Sequence, residues 1–73
     1  MEIEYGALVV DKNGESLGAV DYIINDMWSG EPRKFMVRLD NEEGAVFFTP
    51  QHIAGATKEK VELNVSLQEL ERS

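Results

Sequence analysis

Oxygen-bearing side chains alternate near the start of the sequence, at Asp11, Asn13 and Glu15. This spacing is typical of the beginning of a calcium-binding loop, whose first ligands come from alternate positions. The rest of that loop is missing, because its sixth position holds serine instead of glycine and its twelfth holds tyrosine instead of glutamate. The Asn-Gly pair at 13–14 is a strong signal of a β-hairpin. We therefore predict a hairpin turn and no metal site here.

The other polar residues that could do chemistry are isolated from one another. His52 is the single histidine and the chain contains no cysteine, so the sequence offers neither a metal cluster nor a catalytic triad. Asp40, Glu42 and Glu43 form a second acidic turn, for which a solvated loop is the ordinary interpretation. No glycine-rich phosphate loop precedes a helix. We predict no catalytic residue, no cofactor and no enzyme activity.

The most unusual local feature is an apolar pair, Met27-Trp28, within a polar loop. One interpretation is that Trp28 folds back to cover the end of a small core, which needs every large side chain. The other is that the pair contacts a partner, because both residue types are enriched at protein interfaces. The predicted partner-binding set adds outward-facing residues and consists of Met27, Trp28, Tyr5, Met36 and Phe47.

Hydrophobic residues recur with a period of two, which is typical of strands with one buried face. Alternation covers residues 17–25, 34–40 and 60–65, and shorter strands are predicted at 5–10 and 45–49. In the first of these segments, Tyr22 and Ile24 are expected inside and Ile23 outside. The predicted core positions are Leu8, Val10, Leu17, Val20, Tyr22, Ile24, Phe35, Val37, Leu39, Val46, Phe48, Ile53, Val61 and Leu63.

Turn and helix signals separate these strands and define the fold class. Gly18, just inside the second strand, predicts a bend or a close backbone approach. Pro50 cannot donate to a ladder and should end the fourth strand. Ser66 followed by Glu69 has the pattern of a capping box, so a short helix is expected at the C-terminal end. The sequence predicts one all-β domain over 1–73, a small antiparallel β-barrel of five to six short strands with a short C-terminal helix.

Charge limits the classes of partner. The 73-residue chain has fourteen acidic and seven basic residues, a formal charge of −7. Such a field repels nucleic-acid phosphates and anionic membranes, so neither is an expected partner. The sequence shows no signal peptide and no apolar run of membrane-spanning length, and we expect a cytoplasmic protein without membrane insertion. A chain this short has a thin core, which pairing with a second copy can stabilise. A homodimer is therefore an expected form.

The order of these elements resembles that of the PRC-barrel family. The resemblance spans about Gly6 to Leu63, and it is moderately specific because only the ordered set distinguishes it from other small barrels. The matching residues are Gly6, Val10-Asp11, Gly14, Leu17-Gly18-Ala19-Val20, Phe48-Thr49-Pro50, Ile53 and Val61-Glu62-Leu63. Members include the cytoplasmic domain of the photosynthetic reaction-centre H subunit, a domain of a ribosome-maturation factor and small stand-alone proteins. The resemblance implies docking on other proteins.

Three functions follow as hypotheses. The first is a non-catalytic module or adaptor that mediates protein–protein interaction or scaffolding, with a homodimer as one form. The second is a ribosome- or RNA-processing-associated factor that docks on a ribosomal protein, in which any RNA contact would need Arg33, Lys34 and Arg38. The third is a small-ligand barrel or enzyme, which is disfavoured because so small a barrel is filled by its own side chains. The partner's identity and pathway are not encoded in these patterns.

Overall fold

A computed structural model describes residues 3–72, and the fold in this range is all-β. Two single 3-10 turns, Pro50–His52 and Leu67–Glu69, interrupt the strands. The first begins at Pro50, the residue that the sequence predicts to end the fourth strand. The strands are β1 (Leu8–Val10), β2 (Ser16–Asn25), β3 (Pro32–Leu39), β4 (Ala45–Phe48), β5 (Ile53–Ala56), β6 (Lys60–Leu63) and β7 (Glu71–Arg72).

All seven strands belong to one sheet that curls into a half-barrel, in the order β5-β6-β1-β2-β3-β4-β7. Five of the six neighbouring pairs are antiparallel, whereas β1 and β6 are parallel. The predicted number of five to six strands is therefore wrong, as is a purely antiparallel ladder. The prediction missed β5 and β7, which are short and lack a clear period-two pattern.

The concave face of the sheet holds one apolar core. Phe35 and Phe48 lie at its centre, with ring centroids 4.8 Å apart in a stacked arrangement. This pair is formed because the two residues are directly opposite each other in the β3–β4 ladder. The most deeply buried side chains are Val9, Val20, Phe35, Val37, Val46, Phe48, Val61 and Leu63.

Gly18 allows β2 and β3 to approach each other closely. A Cβ atom at this position would collide with the carbonyl oxygen of Arg38 on β3. The colliding atom belongs to the backbone, so no side-chain rotation can relieve the overlap. The close backbone approach expected from the sequence is confirmed.

A β-bulge in β2 reverses the side-chain directions expected for its second half. The ladder with β3 shifts register between Val20 and Tyr22, leaving Asp21 as the extra residue. One added residue moves every later side chain to the opposite face. Ile23 consequently packs against the core, while Tyr22 is 56% exposed. The predicted inward position of Tyr22 and outward position of Ile23 are both wrong.

Two other predicted core positions, Leu8 and Ile24, also differ from the structure, and Ile53 is only partly buried. Leu8 is 39% exposed, because the inward direction in β1 belongs to the fully buried Val9. A register shift after Val9 then allows Val10 to be buried as predicted. Ile24 and Ile53 are half-buried, and only Ile53 packs against the core cluster.

The predicted C-terminal helix is wrong. The Glu69 carboxylate accepts hydrogen bonds from the Ser66 backbone N–H at 2.8 Å and from its hydroxyl at 3.1 Å. The capping box is thus formed, but it closes only one 3-10 turn. Leu70 leaves the turn in an extended conformation and is buried, and the chain then pairs with β4 as β7. The burial of Leu70 and the pairing of β7 with β4 therefore take the place of further helical turns.

Candidate protein-binding surface

The β2–β3 hairpin is longer than the strands beside it. β1 pairs with β2 only along Ser16–Ala19, and β4 pairs with β3 only along Phe35–Arg38. The two long strands remain paired with each other as far as Asn25 and Pro32. We call residues 22–34 the arm: on its β2 side it extends beyond β1 from Tyr22, and on its β3 side it extends beyond β4 along Pro32–Lys34.

The loop at the end of this arm, Asp26–Glu31, is a hydrogen-bonded turn. The Asp26 N–H donates to the Glu31 carbonyl oxygen, and the Gly30 N–H donates to the Asp26 carbonyl oxygen, each at 2.8 Å. The Asp26 carboxylate accepts from the backbone N–H groups of Trp28 at 2.8 Å and Ser29 at 3.1 Å. Gly30 has φ 75°, a conformation that a residue with a Cβ adopts at a cost. The backbone that supports Trp28 is therefore fixed locally.

Electrostatics strengthen this turn. The N–H groups of Ser29 and then Trp28 hold the pKa of the Asp26 carboxyl below its ordinary value, because they stabilise the ionised form. Arg33 acts in the same direction. Asp26 therefore remains an anion, and so an acceptor, at neutral pH.

Met27 and Trp28 project from the turn into solvent. Trp28 is 91% exposed and Met27 is 88% exposed, the highest values among the large apolar residues of the described chain. The interpretation in which Trp28 folds back over the core is therefore wrong. The turn presents the largest side chain of the protein on a backbone already held in place.

Met36 and Phe47 are brought together on the convex face of the sheet. They are direct cross-strand partners on β3 and β4, and Tyr22 is the partner of Met36 on its other side. We call these three residues the outer row. Lys34 lies beside it, with its ammonium nitrogen 5.3 Å from the centroid of the Phe47 ring. Sequence reasoning missed Tyr22, and the apolar Ile23 at an outward position of the alternation was the available sign of a bulge.

Tyr5 does not belong to the outer row. It is 62% exposed and belongs to a turn before β1, in which the Ala7 N–H donates to the Glu4 carbonyl oxygen. The following Gly6 N–H donates to the Val20 carbonyl oxygen at 2.7 Å, on the side of β2 that faces away from β3. The structure therefore places Tyr5 next to β2 but across that strand from Met36.

The basic residues that could serve RNA binding have acidic neighbours. The Lys34 ammonium lies 3.0 Å from a Glu71 carboxylate oxygen, and the Arg38 guanidinium lies 3.7 Å from that of Asp21. These pairs are solvent-exposed and contribute little to stability, but they reduce the local positive potential. The two side chains share the convex face with the outer row, because they occupy alternate positions of β3.

Asp11 and His52 have structural roles. The buried Asp11 carboxylate accepts from the N–H groups of Asn13 at 2.8 Å and Glu15 at 2.9 Å, which organises the first hairpin turn. His52 Nδ1 accepts from the Thr49 N–H at 3.1 Å across the first 3-10 turn. Within residues 3–72, no group of three or more histidine, aspartate or glutamate side chains is arranged to hold a metal ion.

The chain matches no model of a known protein family, and no curated protein is significantly similar to it. The resemblance to the PRC-barrel family therefore stays a prediction. None of the helical segments in residues 3–72 is long and apolar enough to cross a membrane.

Proposed function

We propose that this chain is a non-catalytic protein-interaction module that binds its partner through the turn bearing Met27 and Trp28 and through the neighbouring outer row. The observation that carries the proposal is the 91% exposure of Trp28 on a turn fixed by the Asp26 carboxylate. Trp28 makes no contribution to the core, so its burial remains available to an intermolecular contact. A homodimer is one form of this interaction.

Physical reasoning favours Trp28 as the centre of the contact. Tryptophan is among the residue types that dominate binding energy at interfaces, and truncation of such a residue costs about 2 kcal/mol or more. A flexible loop would lose conformational entropy on binding, whereas the hydrogen-bonded turn around Asp26 has already lost it. Met27 complements the rigid indole, because its unbranched thioether adapts to irregular surfaces.

The outer row extends the contact area. Tyr22, Met36 and Phe47 lie side by side across three strands, and the intermediate exposure of Met36 and Phe47 leaves apolar area at the surface. A typical stable interface uses about 800 Å² of each partner. This is roughly a sixth of the 4870 Å² of accessible surface of the chain. The resemblance to a family of protein-docking barrels supports the same role.

The proposal is tested by quantitative affinity capture with three forms of the chain. Wild type is compared with Trp28→Ala and with Leu8→Ala, which truncates an exposed apolar residue outside the arm. We expect wild type and Leu8→Ala to recover the same partner, and Trp28→Ala to recover at least about tenfold less. Light scattering on the same proteins identifies a homodimer, which should dissociate in Trp28→Ala alone. Equal recovery and equal mass for all three forms reject the proposal.

A further inference from the structure

On the β2 side of the arm, a strand edge has no partner strand within residues 3–72. Beyond Ala19 in this range, the backbone hydrogen bonds on the side of β2 that faces away from β3 are the two that join Val20 to Gly6 and to Ala7. From Tyr22 to Asn25, β2 pairs with β3 on one side, and no other strand of residues 3–72 pairs with its opposite side. Alternate residues of a strand direct N–H and C=O groups to such an edge, where they can pair with an incoming chain.

Two of the features by which proteins protect edge strands, charge and proline, are missing from this edge, although its ladder with β3 shifts register between Ile24 and Asn25. Its sequence, Tyr-Ile-Ile-Asn at 22–25, contains no charge and no proline and has two β-branched residues. The outer strand β7 has only two residues, both charged. The outer strand β5 has the sequence Ile-Ala-Gly-Ala, and glycine and alanine are poor strand formers. The β3 side of the arm also extends beyond β4, along Pro32–Lys34, but it contains a proline and two basic residues. Of these four edges, the β2 edge of the arm is the most suitable for adding a strand.

Acidic residues at both ends of the edge define the chemistry of its occupant. Asp21 precedes Tyr22 and Asp26 follows Asn25. The Arg38 guanidinium lies 3.7 Å from Asp21, but this exposed pair is weak and open to exchange with another cation. Antiparallel pairing of two copies along 22–25 would place Asp21 of each copy opposite Asp26 of the other, and like charges directly opposite destabilise a ladder. The net charge of −7 adds further repulsion between copies. A segment with basic residues at both ends of a short apolar strand would instead be attracted.

We infer that the free edge of β2 at Tyr22–Asn25 binds an extended segment of a partner protein, as an added β-strand whose central apolar residues are flanked by lysine or arginine. Backbone hydrogen bonds supply the pairing and Asp21 and Asp26 select the basic flanks. Trp28 lies just beyond the same end of the arm, so the added strand and the indole contact belong to one surface. The inference rests on the proposed function and specifies its partner.

The test uses a synthetic probe and amide-resolved NMR. The peptide Ser-Lys-Val-Thr-Val-Thr-Lys-Ser has lysines with the same separation as Asp21 and Asp26, and its control has glutamate at both lysine positions. We expect the lysine peptide to shift the amide resonances of residues 22–25 and to slow their hydrogen exchange. Its affinity should exceed that of the glutamate peptide by about tenfold, since attraction at two exposed sites becomes repulsion. No shift at millimolar peptide, or equal affinity for both peptides, overturns the inference.

Two charge variants separate the edge from a general effect of acidity. Asp21→Lys and Glu15→Lys change the net charge equally, but only Asp21 borders the edge and both side chains are exposed. Asp21→Lys should lower the affinity for the lysine peptide severalfold, while Glu15→Lys should have little effect. Equal losses would overturn the inference. So would concentration-dependent broadening at residues 22–25 without peptide, because it would identify a second copy as the occupant.

The outcome is distinguishable from failure of the proposed function. If the peptide does not bind but Trp28→Ala still loses the captured partner, the edge is rejected and the interaction role stands. If the peptide binds at residues 22–25 but capture does not depend on Trp28, the edge is supported and the tryptophan-centred contact is rejected.

Discussion

Replacement of Gly18 by alanine should destabilise the fold more than the same replacement at any other glycine. The new Cβ would overlap the carbonyl oxygen of Arg38, with the Arg38 carbonyl carbon and the Leu39 Cα also in close range. These atoms belong to β3, so relief requires the β2 and β3 backbones to move apart. That movement would weaken the longest ladder in the sheet, which positions the arm.

The magnitude follows from the kind of clash. Overpacking that can be relieved by side-chain movement costs about 1–3 kcal/mol, and a backbone clash belongs at the upper end, at about 3 kcal/mol. A domain of this length has a total stability of about 4–11 kcal/mol. The unfolding entropy expected for its size converts a loss of 3 kcal/mol into a decrease of about 20 °C in Tm.

Gly55→Ala is the matched control in thermal and urea denaturation. A Cβ at Gly55 would meet only the Glu62 carboxylate oxygen at 3.5 Å, an ordinary contact. Its stability should therefore stay within about 1 kcal/mol of wild type. If Gly18→Ala unfolds at the same temperature as Gly55→Ala, the close approach of β2 and β3 does not exist in solution.

Three further predictions concern the hairpin turn, the bulge and the end of the arm. Asp11→Ala removes the buried acceptor of two N–H groups and should cost about 2 kcal/mol, measured from urea unfolding; unchanged stability would contradict its role in the turn. Tyr22→Lys should alter stability by less than about 1 kcal/mol, whereas Ile23→Lys should cost more than about 2 kcal/mol, because only Ile23 packs against the core. If thermal denaturation shows Tyr22→Lys to be the less stable of the two variants, the bulge at Asp21 does not exist in solution. The pKa of Asp26 should be lower in the folded chain than in urea, since two N–H groups stabilise its ionised form. Its contribution to stability is then full above the unfolded-state pKa and is lost as the pH falls through the folded-state pKa, and a carboxyl NMR titration with no difference between the two states would refute it.

Much of the fold could be predicted because hydrophobic alternation reports local burial directly. The segments that became β2, β3, β4 and β6 were identified, as were the turn at Asp11 and the strand end at Pro50. The positions of Phe35 and Phe48 in the core also followed from alternation. These features depend on short-range pattern and turn chemistry, which a single sequence contains.

The errors arise where long-range pairing overrides local pattern. The bulge at Asp21 depends on how β2 meets both β1 and β3, and it alone moves Tyr22 to the surface. The C-terminal segment has a helical capping box, yet the buried Leu70 and the free edge of β4 extend the chain after one turn. The register of β2 is set by its two ladders together, and β4 is distant in sequence from β7, so local propensity could not reveal either feature.

The candidate surface was predicted only in part for the same reason. Met27 and Trp28 stood out because apolar residues are unusual in a polar loop. Whether Trp28 folded inward depended on the length of the arm and on the hydrogen bonds of Asp26, both set by tertiary structure. The outward positions of Met36 and Phe47 followed from alternation, but their pairing and the third member of the outer row, Tyr22, depended on tertiary structure.

The central claim is that the partner covers Trp28. Because the chain has a single tryptophan, incorporation of 5-fluorotryptophan gives one ¹⁹F NMR resonance, which an unlabelled partner does not obscure. In the isolated monomer this resonance should show the solvent-isotope shift of an exposed indole. In the complex with the captured partner, or in a homodimer, it should move and lose most of that isotope shift. An unchanged resonance with the full isotope shift in the assembled state would contradict the claim.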